Sequence, residues 1–225
     1  SHDDSDHVYN TARAWYMLRT LNPRTKRWDG PNADYTPFSD DLPWCMVPEK
    51  KITVEDVKYV LSSHYQGTPY DPYASYGDKT MCGAYRSIGI NRNDDMALIQ
   101  MRPDAEPVQW LAFASNAFNV LAPFYADIDT TPGYLSGTNG KVSTENFYWM
   151  SRMVAAMADA SYSKSVFHIE RYQEKVAAKS HEILKRYDTL LEQETDEEKR
   201  KKLQEEANEK IAGMLQCEAA DTLDK

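Results

Sequence analysis

The sequence predicts an α+β chain, with antiparallel strands over residues 85–113 and a long helical C-terminal region. Three observations predict it. Val108-Gln-Trp-Leu-Ala-Phe113 is apolar at nearly every position, the pattern of a strand buried on both faces. Ile88 and Ile90 alternate with Ser87 and Gly89, and the turn Asn91-Arg-Asn-Asp-Asp95 leads into Met96–Met101, so three sequential strands make a meander. From Phe147 onward, apolar residues recur in mixed three- and four-residue steps, as on one face of a helix.

The elements follow in order. Residues 6–21 read as a helix that Asp6 can cap, with Val8, Ala12, Trp15 and Tyr16 on one face and Asn22-Pro23 as its stop. Prolines 23, 31, 37, 43 and 48 make residues 22–50 an ordered loop, expected to bury Trp28, Tyr35, Phe38 and Trp44. Thr53-Val-Glu-Asp56 has the form of a capping box, with Asp in place of the usual Glu. The helix it opens carries Val57, Val60 and Leu61 on its apolar face, and Gly67-Thr-Pro69 is its expected stop. A loop rich in Tyr, Pro and Gly fills 67–84, the three strands follow, and the chain is polar and turn-rich from Ala122-Pro123 to Gly140. Phe147, Met150, Val154 and Met157 form one helical stripe, continued by Val166, Ile169, Tyr172, Val176, Ile183, Tyr187 and Leu190. Thr195-Asp-Glu-Glu198 reads as a second capping box, opening a last helix with Leu203, Ala207, Ile211 and Met214 on one side. Glu197 and Glu198 precede Lys201 and Lys202 by four residues, as on a solvated helix face.

Composition excludes several classes. The 225 residues carry a net charge of −9, which disfavours nucleic acid as a partner. No apolar run reaches the roughly 18 residues of a membrane span. Cys45, Cys82 and Cys217 fit no zinc spacing and read as free thiols of a reducing compartment, the cytoplasm. Cys82 reads as a structural thiol rather than a nucleophile, because no histidine is close to it in sequence. His168 and His181 have no metal spacing. His64, at a helix end, reads as structural, because a general base would need a partner that the sequence does not identify. Tyr65, Tyr70, Tyr73 and Tyr76 either line a peptide pocket or pack their loop onto the sheet.

Several segments, taken in order and spacing, carry a resemblance. They are Val54–Leu61, Ser62-Ser-His-Tyr-Gln-Gly-Thr-Pro-Tyr-Asp-Pro-Tyr73, Tyr85-Arg-Ser-Ile-Gly-Ile90, Gln100-Met-Arg102, Trp110 and Ala122-Pro-Phe-Tyr125. Together they resemble the C-terminal half of the dipeptidase A family of cysteine peptidases, which are N-terminal-nucleophile hydrolases. The resemblance implies a four-layer αββα sandwich, to which residues 1–140 would contribute, with 141–225 a helical region packed on it. It implies hydrolysis of dipeptides by an amino-terminal cysteine, and no metal or cofactor. No catalytic residue is expected in this chain, whose Ser1 reads as a cut end rather than as a nucleophile. The chain alone is therefore expected to be inactive, and to associate as a homo-oligomer or with a missing upstream half over a sheet face near Val108, Trp110 and Leu111.

Three residues are candidates for supporting or substrate-binding roles. Arg86, expected to begin the first strand, could polarise a thiolate or grip a substrate carboxylate in bidentate fashion; an ordinary salt bridge is the alternative. Arg13 resembles an arginine that opens a helix in related acylases. Asn116, like Asn119, follows the apolar strand and could donate to an oxyanion, or simply form a turn. Two rival functions remain open, another amidase of the same fold and a binding module without activity.

Overall fold

The computed structural model describes residues 6–73 and 81–225. Ser1, Tyr76 and their expected roles lie outside the described residues. The chain packs as two compact units, residues 1–90 and 91–225. In the second unit the C-terminal helices pack on the sheet.

In the first unit, a π-helical turn His7–Thr11 runs into helix α1, Ala12–Leu21. Asp6 does not cap it; its carboxylate instead accepts from Asn10 Nδ2 at 2.8 Å. Ala12, Trp15 and Tyr16 turn inward with Trp28 and Tyr65, while Val8 is exposed. Each large ring finds a partner for its polar tip. Trp15 donates to the Tyr35 carbonyl at 3.2 Å, Trp28 to the Asn22 carbonyl at 2.8 Å, and Tyr16 to the Gln66 carbonyl at 3.2 Å. Phe38 and Trp44 are not buried as expected; Trp44 stands fully in solvent, and Leu42 and Met46 of the same loop take the inward places.

Helix α2, Val54–Leu61, starts with the predicted capping box: Asp56 N donates to Thr53 Oγ1 at 3.1 Å, and Thr53 N to Asp56 Oδ2 at 3.0 Å. It stops at Ser62 rather than at Gly67.

Residues 85–90 form no strand. Their backbone groups serve separate segments instead of one ladder: Arg86 N donates to Val8 O at 3.0 Å, and Gly89 N to Ser63 O at 2.8 Å. Gly89 also lies against the Ser62 peptide, so close that a Cβ there would stand 2.4 Å from the Ser62 oxygen. Arg86 thus begins no strand; Ile88 packs on the α1 core.

The second unit does contain a three-stranded antiparallel sheet, ordered β1 (Asp95–Gln100), β2 (Val108–Phe113), β3 (Ala122–Tyr125). The register pairs Leu98 with Trp110, and Trp110 with Pro123. β3 falls where a polar, turn-rich stretch was expected. Tyr125 exchanges two bonds with the buried side-chain amide of Asn208: Tyr125 N donates to Oδ1 at 2.8 Å, and Nδ2 donates to Tyr125 O at 3.0 Å. Backbone groups two residues apart face the same way, so Pro123 shares this outward side and its missing N–H costs the ladder nothing.

Helices α3 (Phe147–Ala160), α4 (Tyr162–Gln193) and α5 (Glu197–Leu223) complete the unit. The buried stripe of α4 runs through Ile169, Tyr172, Val176, Ser180, Leu184, Tyr187 and Leu191. It passes through a serine, which shifts it one residue beyond the expected Ile183 and Leu190. On α3, Met157 is exposed. α5 is capped by Asp196, whose Oδ1 accepts from Lys199 N at 3.0 Å; Thr195 is not the cap. Val108 and Trp110, expected on a bare sheet face, are buried within this unit, and the exposed large apolar residues of the sheet region are Ile99 and Met101. Among the described residues no helix is long and apolar enough to cross a membrane.

α4 and α5 are also pinned electrostatically. Glu218, buried on α5, accepts from Lys175 Nζ at 3.3 Å and from Lys179. Burial works to raise its carboxyl, but the two lysines outweigh it and hold the carboxyl below the usual range. With the folded value depressed, the contribution to stability is complete above the unfolded value of about 4.3 and declines as pH falls through the folded one. Urea midpoints followed from pH 6 down to pH 2.5 are expected to fall less steeply for Glu218→Gln than for the unaltered chain. Parallel acid limbs would show that the pair contributes nothing.

Candidate functional site

The densest polar geometry of the first unit follows the end of α2. Ser63 N donates to Val60 O at 3.2 Å and closes the helix, and the chain then enters a tight turn at Tyr65. Tyr65 is fully buried and holds φ at +65°, the left-handed region that a bulky side chain seldom enters and that costs about 1–2 kcal/mol. Four bonds hold it there. Its N–H donates to Ser63 Oγ at 3.0 Å, and its carbonyl accepts from Thr68 N at 3.1 Å and Thr68 Oγ1 at 2.7 Å. Its hydroxyl donates to the Arg86 carbonyl at 2.9 Å. Burial raises the Tyr65 phenol far above its ordinary range, so the hydroxyl keeps its proton and remains a donor.

Arg13, on the first turn of α1, reaches the same acceptor: its Nε donates to Arg86 O at 3.1 Å. Two of the three candidate residues, 73 positions apart, are thereby joined. Arg86 is half-buried as a residue, and its guanidinium lies over the Tyr9 ring, 5.1 Å from its centroid. Among the described residues neither Arg13 nor Arg86 forms an ion pair.

His64 has the partner that the sequence did not identify. Its Nδ1 stands 2.8 Å from Asp71 Oδ1, both residues are buried, and Tyr73 N donates to the same carboxylate oxygen at 2.9 Å. The Tyr73 ring meets the imidazole edge-on at 5.1 Å. The Cys82 thiol donates to the carbonyls of Asp71 at 3.1 Å and Pro72 at 3.4 Å, which ties it down as a donor to backbone. Cys45 and Cys217 are exposed, and none of the three forms a disulfide. Burial draws Lys58 of α2 down to about 7, and its Nζ lies 2.7 Å from Ser62 Oγ.

Asn116 belongs to the second unit, where it is buried in the turn after β2. Asn119, alongside, donates to Ser115 O at 3.0 Å and Ser151 O at 3.2 Å, so it fastens that turn to α3. His181 lies by Trp110, ring centroids 5.5 Å apart. Among the described residues no group of three or more His, Cys, Asp or Glu side chains could hold a metal ion.

A buried tyrosine held in a left-handed turn thus lies beside two arginines that have no carboxylate partner among the described residues. Comparison with known proteins gives the class: residues 1–175 match peptidase family C69, and the chain belongs to that family. Among curated relatives, it is 53% identical to a dipeptidase of Bifidobacterium longum (strain NCC 2705) over 188 residues, 82% of this chain and 35% of that protein. It is 41% identical to a "Probable dipeptidase A" of Streptococcus pyogenes serotype M18 over 230 residues, 100% of this chain and 46% of that protein. Dipeptidase A of Lactobacillus helveticus is 34% identical over 79% of this chain and 36% of its own length. The chain therefore spans less than half the length of these relatives.

Proposed function

We propose that this chain is part of a dipeptidase that cleaves dipeptides of broad composition, with a cysteine nucleophile supplied by residues outside the chain. The observation that carries the reading is the 53% identity to a dipeptidase over 82% of the chain. The surroundings of the cysteines support the second half of it, since Cys82 donates to two carbonyls and the other two thiols are exposed. Free thiols suit a reducing cytoplasm. In this chemistry the amino group of the terminal cysteine takes the thiol proton, and sulfur attacks the peptide carbonyl carbon. The C–N bond breaks as that proton passes to the leaving amine, and water then releases the acyl group from sulfur. Hydrogen-bond donors must stabilise the oxyanion formed on the way.

A dipeptide always presents a carboxylate close to its scissile bond. Arg86 is the residue we assign to it, because it is half-buried, its guanidinium is oriented by an aromatic face, and it has no ion pair among the described residues. The partner of this chain would be the remainder of the protein or a second copy, covering exposed apolar residues such as Ile99 and Met101.

The reading is tested by assaying the full-length protein and the 225-residue chain side by side on a panel of dipeptides. Turnover is expected from the full-length protein, none from the chain alone, and no loss from Cys82→Ala in the full-length protein. Turnover by the chain alone that disappears with Cys82→Ala would instead make Cys82 the nucleophile.

A further inference from the structure

We infer that Arg13 and Tyr65 are positioning residues, which set the substrate-binding Arg86 by holding its backbone carbonyl from two sides. The inference rests on the assignment of Arg86 to the substrate carboxylate. Its own grounds are geometric. Arg13 Nε at 3.1 Å and Tyr65 Oη at 2.9 Å donate to one oxygen, that of Arg86, from two elements distant in sequence. Arg86 N donates to Val8 O at 3.0 Å, so both peptide groups flanking the Arg86 Cα are fixed. The guanidinium in turn rests on Tyr9, next to Val8 in the chain. No ladder holds residues 85–90, so these contacts supply the order that a strand would otherwise give.

Tyr65 is specified for the task. Its backbone is held in a left-handed conformation, its ring is wedged edge-on against Tyr16 at 5.5 Å and packed by Tyr85 at 6.4 Å, and its hydroxyl emerges at the Arg86 carbonyl. A glycine would satisfy the φ angle without strain, but it would deliver no hydroxyl. Arg13 acts here through Nε, the guanidinium nitrogen nearest its backbone, which leaves its terminal nitrogens free of this contact.

The test compares dipeptides with their C-terminal amides, which lack the carboxylate, on the full-length protein. Arg86→Ala is expected to abolish the preference for the free acid. Tyr65→Phe and Arg13→Ala are each expected to raise KM for the free acid about five-fold, the effect of losing one hydrogen bond of ordinary strength. Their kcat should hold, and the amides should be cleaved as before. Arg13→Gln places an amide N–H where Nε stood, so it should keep the preference if Arg13 acts by positioning. A preference lost in Arg13→Gln as fully as in Arg13→Ala would mean that the charge of Arg13 meets the substrate directly. Equal losses on acids and amides in Tyr65→Phe and Arg13→Ala would reduce both residues to general supports, with the Arg86 assignment intact. An undiminished acid preference in Arg86→Ala would remove that assignment and this inference with it.

Discussion

Gly89→Ala is expected to destabilise the first unit by roughly 3 kcal/mol or more, at the upper end of what overpacking costs. The added Cβ would stand 2.4 Å from the Ser62 oxygen, 2.6 Å from its carbonyl carbon and 2.9 Å from its Cα. All three are backbone atoms at the end of α2, so no side chain can swing aside. Relief requires parting residues 62–63 from 89, which breaks the Gly89 N to Ser63 O bond at 2.8 Å and disturbs the turn leading to Tyr65. Gly67 separates space from conformation. Its φ is +76° and nothing lies within 4 Å of a Cβ built there, so Gly67→Ala carries backbone strain alone and is expected to cost about 1 kcal/mol. Urea unfolding followed by tyrosine and tryptophan fluorescence ranks the two. A Gly89→Ala protein no less stable than Gly67→Ala would mean that the two segments are not in the contact described.

Asn208→Ala is expected to cost about 2–5 kcal/mol, because it strands two buried backbone groups at once, each worth about 1–3 kcal/mol when left without a partner. The amide stands where the next strand of the sheet would be, giving to and taking from Tyr125 as that strand's own peptide would. Asn208→Leu fills the space without restoring either bond, so it should recover little. Asn208→Asp keeps an acceptor for Tyr125 N but sets a carboxylate oxygen against Tyr125 O, so at neutral pH it should be no better than alanine. Losses below about 0.5 kcal/mol in all three would show that water replaces the amide.

Much of this architecture is legible in the residues themselves. The apolar run 108–113, the Thr53–Asp56 box and the periodicity after Phe147 report local chemistry, and the corresponding strand and helices form. What the sequence misses depends on distant partners. Pro123 argues against a strand until Asn208, 85 positions later, shows that the strand has an outward side with no further strand to serve. Ile88 and Ile90 alternate as a strand would, but the hydrogen bonds of that segment go to Val8 and Ser63. The α4 stripe passes through Ser180, and an apolar count drifts to its neighbours.

The candidate site was legible only in its parts. Arg13 and Arg86 stand out singly, but their meeting at one carbonyl is a product of folding. His64 looked partnerless because residues seven apart stand about 10 Å from each other along a helix and farther along a strand, and only the turn between His64 and Asp71 brings them into contact. Tyr65 offered no signal beyond its place in an aromatic loop, because a left-handed backbone leaves no mark on a tyrosine.

Trp44 makes part of the molecule's behaviour visible to light. Of the five tryptophans, Trp15, Trp28 and Trp110 are sealed in cores and Trp149 is half-covered, whereas Trp44 meets water on all sides. The emission of the chain should therefore contain a red-shifted fraction that iodide extinguishes, over a blue-shifted remainder that iodide leaves alone. Any partner that settles on the 22–50 loop would move this one indole from the first fraction to the second, without a label or a change of sequence.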